Sequence, residues 1–315
     1  MSNNKYTKEQ REYIKELRAK GFTWAQVASD FNTEYGDNTT HDALRFALRG
    51  LRSQYPAPKP ISPAREKRRI DSAEKKVNLL DKAYERVLII PDLHVPYHHK
   101  EAFDFLELVR DAHDPDLVIC VGDEVDKHAM SFHDSDPDLP SAGDELEEAI
   151  ASLEDLYTRF PEVHLVDSNH GSMHYRKGKH HGIPRKYLRS YGDILEAPEA
   201  WRWSHELNIN CGGNMVRVKH HFGKNILKAA EQAGRCLIGG HFHEDFLVQY
   251  SANSDRLIWA CTSGCLVDDS SLAFAYNNTN LKRPILGCTM IIDGYPQLIP
   301  MVLKKGGKWM GGSHE

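Results

Sequence analysis

Five short apolar runs in this chain each stop abruptly at carboxylate, amide or imidazole side chains, and that pattern leaves few folds open. Residues 87–91 are followed by Asp92-Leu93-His94, and 117–121 by Gly122-Asp123-Glu124-Val125-Asp126. Residues 163–166 lead to Asn169-His170, 216–218 to His220-His221, and 236–238 to Gly240-His241-Phe242-His243. Runs of this length, rich in Val, Ile and Leu, read as buried strands whose carboxyl ends open into a site. The pooled donors are Asp, Asn and His without Cys, a set suited to Mn²⁺, Fe, Zn²⁺ or Ni²⁺. They outnumber the ligands of one tetrahedral zinc. Two divalent ions are therefore expected, with Mn²⁺ the first choice.

Helical patterns alternate with these runs. Residues 100–111 carry Phe103, Leu106 and Val109 on one face, and 144–160 carry Leu146, Ile150, Leu153 and Leu156. That alternation predicts an α/β layered domain. Later the pattern turns to strands, with Asp293-Gly294 a hairpin signal between 289–292 and 297–302. No internal repeat is evident.

The first 54 residues read differently. Thr7-Lys-Glu-Gln10 and Thr23-Trp-Ala-Gln26 are capping boxes that open two helices, and Gly21 ends the first. A third helix is expected over 41–51, with Leu44, Ala47, Leu48 and Leu51 on one face and Arg45, Arg49 and Arg52 on another. This order is like a helix-turn-helix nucleic-acid-binding module, with those three arginines facing phosphate. A protein-docking or purely structural bundle reads the same way. Residues 55–85 then form a Pro-rich and charged linker, its 64–85 part expected to be helical, and 86–315 the main domain.

The chain has 315 residues and a net charge of −5. Residues 1–70 hold 14 Lys and Arg against 8 Asp and Glu, so the main domain is acidic and the N-terminal piece basic. An acidic body suits cation binding, and a basic arm an anionic partner. The start of the sequence lacks the apolar core of a secretory signal, and no run approaches membrane-spanning length. A cytoplasmic protein without a membrane partner is expected. The six cysteines include no CxxC pair and read as buried free thiols.

Taken together, Asp92-x-His94, Gly122-Asp123-x-x-Asp126, Asn169-His170, His220 and Gly240-His241-x-His243 resemble the calcineurin-like metallophosphoesterase family over residues 86–303. The resemblance implies a sandwich of two mixed β-sheets flanked by helices. It implies that Asp123 bridges two metals, that Asp92, His94 and His243 complete one, and that Asn169, His220 and His241 complete the other. It makes His170 a general acid or transition-state donor paired with Asp126. Strand parity favours His220 over His221 as ligand but leaves both open. The family's GNH[DE] stands here as Ser168-Asn169-His170-Gly171, so a Gly and an acid are missing. His98 and Arg176 lie near enough in sequence to these motifs to meet substrate.

Phosphate-ester hydrolysis needs an anionic substrate neutralised and hydroxide formed near neutral pH, and two cations about 4 Å apart can do both. The basic N-terminal module points to a nucleic-acid phosphodiesterase. A phosphomonoesterase or protein phosphatase, a small-nucleotide phosphodiesterase, and a DNA-binding regulator with an inactive metal domain are the alternatives.

Overall fold

In the computed structural model, which describes residues 6–41, 43–44, 76–131, 136–274 and 281–311, the chain divides into two units, Met1–Arg69 and Ile70–Glu315. In the first, helix α1 (Lys8–Ala19) starts at Thr7 and α2 (Trp24–Tyr35) at Thr23, each through the expected reciprocal capping box. Ile14, Leu17, Val27, Ala28, Phe31 and Leu44 make its core. His41, Ala43 and Leu44 are helical, and Thr40 Oγ1 accepts from the Ala43 amide. Arg45, Arg49 and Arg52 lie outside the described residues.

The second unit is a sandwich of two six-stranded mixed sheets. One sheet runs in the order β12 (Tyr295–Pro300), β11 (Gly287–Ile292), β2 (Arg86–Ile90), β3 (Leu117–Cys120), β4 (Val163–Val166), β5 (Trp201–Ser204). The other runs β1 (Lys76–Tyr84), β6 (Glu206–Cys211), β7 (Asn214–Val218), β8 (Cys236–Gly239), β10 (Leu257–Ser263), β9 (Phe246–Ala252). Alternation within β2 shows how the layers are held. Val87 and Ile89 join Ile119, Val121, Ile209, Val218, Ile238 and Trp259 in the core between the sheets. Leu88 and Ile90 face the other way, against Phe103, Leu106 and Val109 of α3 (Ala102–His113) and Leu153 and Leu156 of α4 (Ala142–Arg159). Strands buried on both faces need apolar side chains at every position. Each such Ile or Leu contributes about 1.5–3 kcal/mol by leaving water.

One expectation is corrected. Residues 76–84, read as part of a helical, charged linker, form strand β1, paired in parallel with β6. It lies at the end of its sheet, where only one neighbour constrains it, and an edge strand tolerates lysine and aspartate. Its composition therefore resembles a linker's. The hairpin at Asp293-Gly294 joins β11 and β12 as expected. All six cysteines are free and buried. Among the described residues no helix is long and apolar enough to cross a membrane.

Candidate metal centre

Strands β2, β3, β4 and β5 are mutually parallel, as are β7 and β8. The polar clusters follow β2, β3, β4, β7 and β8. Beyond the strands the first two loops stay joined, because the amides of Leu93 and His94 donate to the Asp123 carbonyl (3.1 and 2.8 Å). Three residues of the clusters, His94, Asp123 and His241, adopt left-handed backbone (φ 53°, 49° and 77°). Such conformations cost about 1–3 kcal/mol each and collect at functional sites.

Ligand-type atoms gather in three groups, each within 4.8 Å: Asp92, His94 and His243; Asp123, His220 and His241; and His94, Asp123 and His170. Asp123 Oδ2 lies 3.1 Å from His220 Nε2 and 3.6 Å from His94 Nε2, so one carboxylate faces both sides. Asn169 Oδ1 is 2.7 Å from His220 Nε2 and 3.1 Å from His241 Nδ1. His243 Nε2 stands 3.1 Å from His94 Nε2 and 3.4 Å from Asp92 Oδ2. Thus Asp92, His94, Asp123, Asn169, His220, His241 and His243 are brought together. Of the two adjacent histidines, His220 is buried among these donors. His221 is exposed, with its ring 4.4 Å from that of His241.

Hydrogen bonds behind these side chains orient them. Asp126 Oδ1 accepts from His94 Nδ1 at 2.5 Å, leaving the His94 Nε2 lone pair toward the cluster. His220 Nδ1 donates to the Val121 carbonyl (2.9 Å), which does the same for its Nε2. Asp92 Oδ2 accepts from the His241 amide (2.6 Å), whereas Asp92 Oδ1 is buried without a hydrogen-bond partner. Gly240 permits this approach, since a Cβ there would lie 2.1 Å from Asp92 Oδ1.

Electrostatics follow from that crowding. Burial disfavours the Asp123 anion, yet His220, His170 and His94 outweigh it and hold the carboxyl well below its usual range. Burial opposes a charge on His220 too, but Asp123 and Asp92 lift it to about 10. His241 is pushed down to about 4 by burial and then by His220 and His221.

A divalent cation fits this donor set. Imidazole and carboxylate groups converge here, His220 is drawn toward its charged form by the surrounding carboxylates, and Asp92 keeps a buried oxygen without a hydrogen bond. Such an arrangement is relieved by positive charge at its centre.

His170 also lies at this site. Its amide donates to Asp123 Oδ1 (3.0 Å) and its Nδ1 contacts the Asp126 main-chain carbonyl. The Asp126 carboxylate is 3.5 Å from His170 Nδ1 and closer to His94. Arg176 Nη1 donates to the Asn169 carbonyl (3.3 Å), at the start of α5 (Met173–His180). His98 stacks on Phe103 at 4.5 Å, and the groups of converging donors among the described residues do not include it.

Three contributors escaped the sequence reading. Ser168 Oγ accepts from the amides of Asp123 and Gly171 (2.9 Å each), so the hydroxyl standing at the missing glycine closes both turns. Phe274 is buried edge-on to His94 and His243, at 5.6 and 6.2 Å. Glu145 sits on the apolar face of α4 and accepts from the amides of His128 and Ala129 (2.6 and 3.1 Å). Nothing in the sequence marked Phe274. An acidic residue on an otherwise apolar stripe was the available signal for Glu145.

No protein-family model and no curated protein matches the chain. Among solved structures it is similar to an archaeal phosphodiesterase, at 13% identity and a TM-score of 0.37, covering 68% of this chain and 99% of that one. It is similar to Yfce, a phosphoesterase from E. coli, at 11% identity and a TM-score of 0.39, covering 72% and 97%. Vps29 of Chaetomium thermophilum matches at 9% identity and a TM-score of 0.39, covering 71% and 92%.

Proposed function

We propose that this chain is a divalent-metal-dependent phosphoesterase of the calcineurin-like kind, acting on the phosphodiester bonds of nucleic acid. The observation that carries the reading is Asp123, a buried carboxylate facing two groups of ligands at once. Asp92, His94 and His243 would hold one ion, Asn169, His220 and His241 the other, and Asp123 both. Such ions would supply charge neutralisation for a phosphoryl group and acidify a water molecule.

The remaining chemistry belongs to the chain. The Asp126 carboxylate fixes the His94 ring, and its carbonyl, with Asp123 gripping the His170 amide, fixes the His170 ring. With Nδ1 so engaged, His170 Nε2 is the atom left to hold a proton for the departing ester oxygen. Phe274 covers the His94 and His243 side with apolar surface and limits water there.

A polyanionic substrate is supported by the segment that follows Asn169. Between Asp167 and Asp193 there is no carboxylate, while Arg176, Lys177, Lys179, Arg185, Lys186 and Arg189 all occur, in an acidic domain. Lys179, Arg185, Lys186 and Arg189 are exposed, and Tyr187 is 80% exposed beside them. Cations that follow a phosphate backbone, with an aromatic face for bases, are the ordinary means of binding single strands.

The test is a Mn²⁺ panel of p-nitrophenyl phosphate, its bis ester, a cyclic nucleotide, single- and double-stranded DNA, and RNA. Turnover of the bis ester and of nucleic acid is expected. Turnover of the monoester alone would make the chain a phosphomonoesterase or protein phosphatase. Tight DNA binding without hydrolysis would make it a regulator.

A further inference from the structure

We infer that Lys127 is a positioning residue that sets the place of His170 by holding the main chain of the Asn169–Gly171 turn from behind. The inference rests on the proposed role of His170 at the leaving oxygen.

Lys127 follows Asp126 and is only 6% exposed, in left-handed backbone (φ 62°). A buried lysine is rare unless its ammonium is partnered. Here Nζ donates to the carbonyls of His170 and Gly171, at 3.0 Å each, and lies 3.8 Å from the centroid of the Tyr191 ring. An ammonium has three N–H donors. Two carbonyls and one aromatic face account for all three, so this cation is occupied inside the protein and is not presented to an incoming phosphate. Its charge is opposed by buried Glu124, whose Oε1 accepts from Trp203 Nε1 (3.1 Å).

The turn it holds is bound on every side. The His170 amide donates to Asp123, the Gly171 amide donates to Ser168 Oγ, and the carbonyls of both face Lys127. Gly171 suits this packing. A Cβ there would lie 2.9 Å from Ser168 Oγ and 3.3 Å from Tyr191 Cε1. A Cβ here would press on the hydroxyl that closes both turns, so Ser168 would have to shift to admit one. Ser168 and Lys127 restrain this turn, with the Tyr191 ring packed against the Lys127 ammonium.

The test uses the full chain with Mn²⁺ and bis(p-nitrophenyl) phosphate, comparing Lys127→Met, Lys127→Arg, Tyr191→Leu, His170→Gln and the double variant Lys127→Met/His170→Gln. Metal content and amide hydrogen exchange of the 168–174 segment are read alongside. Lys127→Met is expected to keep its metal, lose about 10- to 100-fold in kcat and change KM by less than about threefold. Lys127→Arg restores part of kcat. The double variant is no slower than His170→Gln alone, because the two residues act as one unit. Exchange at His170 and Gly171 rises in Lys127→Met and, less so, in Tyr191→Leu. If Lys127→Met exchanges faster throughout the chain, the rise confined to 168–174 in Tyr191→Leu decides the matter; a wild type that cleaves no diester would sink the proposed reaction and leave the restraint standing. An additive double variant, a kcat unchanged in Lys127→Met, a rise confined to KM, or unchanged exchange would overturn the inference.

Discussion

The two halves of the proposed metal centre are built unlike one another. Asp92, His94 and His243 bring a full carboxylate, a ring oriented by a second carboxylate at 2.5 Å, and an apolar roof at Phe274. Asn169, His220 and His241 bring a neutral amide, a ring oriented by a main-chain carbonyl, and a half-buried imidazole held down near a pKa of about 4. Only Asp123 is common to both. Charge and burial therefore concentrate on the first half, and the second is left more open and less anionic. A cation is expected to bind the first half more tightly, and the second to be the side that fills and empties.

Removing the shared carboxylate should erase the difference. Asp123→Ala is expected to lower turnover more than about 1000-fold and to lose both ions, as read by metal analysis of the purified protein. Next in size is Asp126→Asn, which takes the anion from behind His94. It should weaken the first ion by about 10- to 100-fold while leaving the second nearly unchanged, measured by calorimetric Mn²⁺ titration. Asn169→Asp runs the comparison in reverse. A carboxylate there should tighten the second ion by about tenfold and bring the two affinities together. A second ion that binds no more tightly would show that charge is not what separates the halves. His221→Ala should be the mildest, within about twofold of wild type in turnover, since its ring rests against His241 without joining the donors.

How legible this asymmetry was in the sequence depended on where each determinant lies. The cluster Gly240-His241-Phe242-His243 put both imidazoles in view, although β8 ends at Gly239 and a left-handed turn at His241 (φ 77°), not strand alternation, places them. Strand parity favoured His220, and the structure buries it among the donors. The role of Asp126 was only half legible. Its carboxylate is nearer His94 than His170, a preference set by two loops zipped together after β2 and β3 and not by spacing within either. Lys127 carries no local sequence signal. Its burial depends on Tyr191, far along the chain, and no local period connects the two. Strand β1 was missed because an edge position excuses the charge that normally excludes a strand.

The proposed reaction requires Asp123 to be shared by two cations. Anomalous diffraction at the manganese edge, from crystals equilibrated with excess Mn²⁺, tests it most directly. Two peaks about 3.5–4 Å apart, with an Asp123 oxygen between them, are expected. A single peak, or two with Asp123 turned away from both, would contradict it.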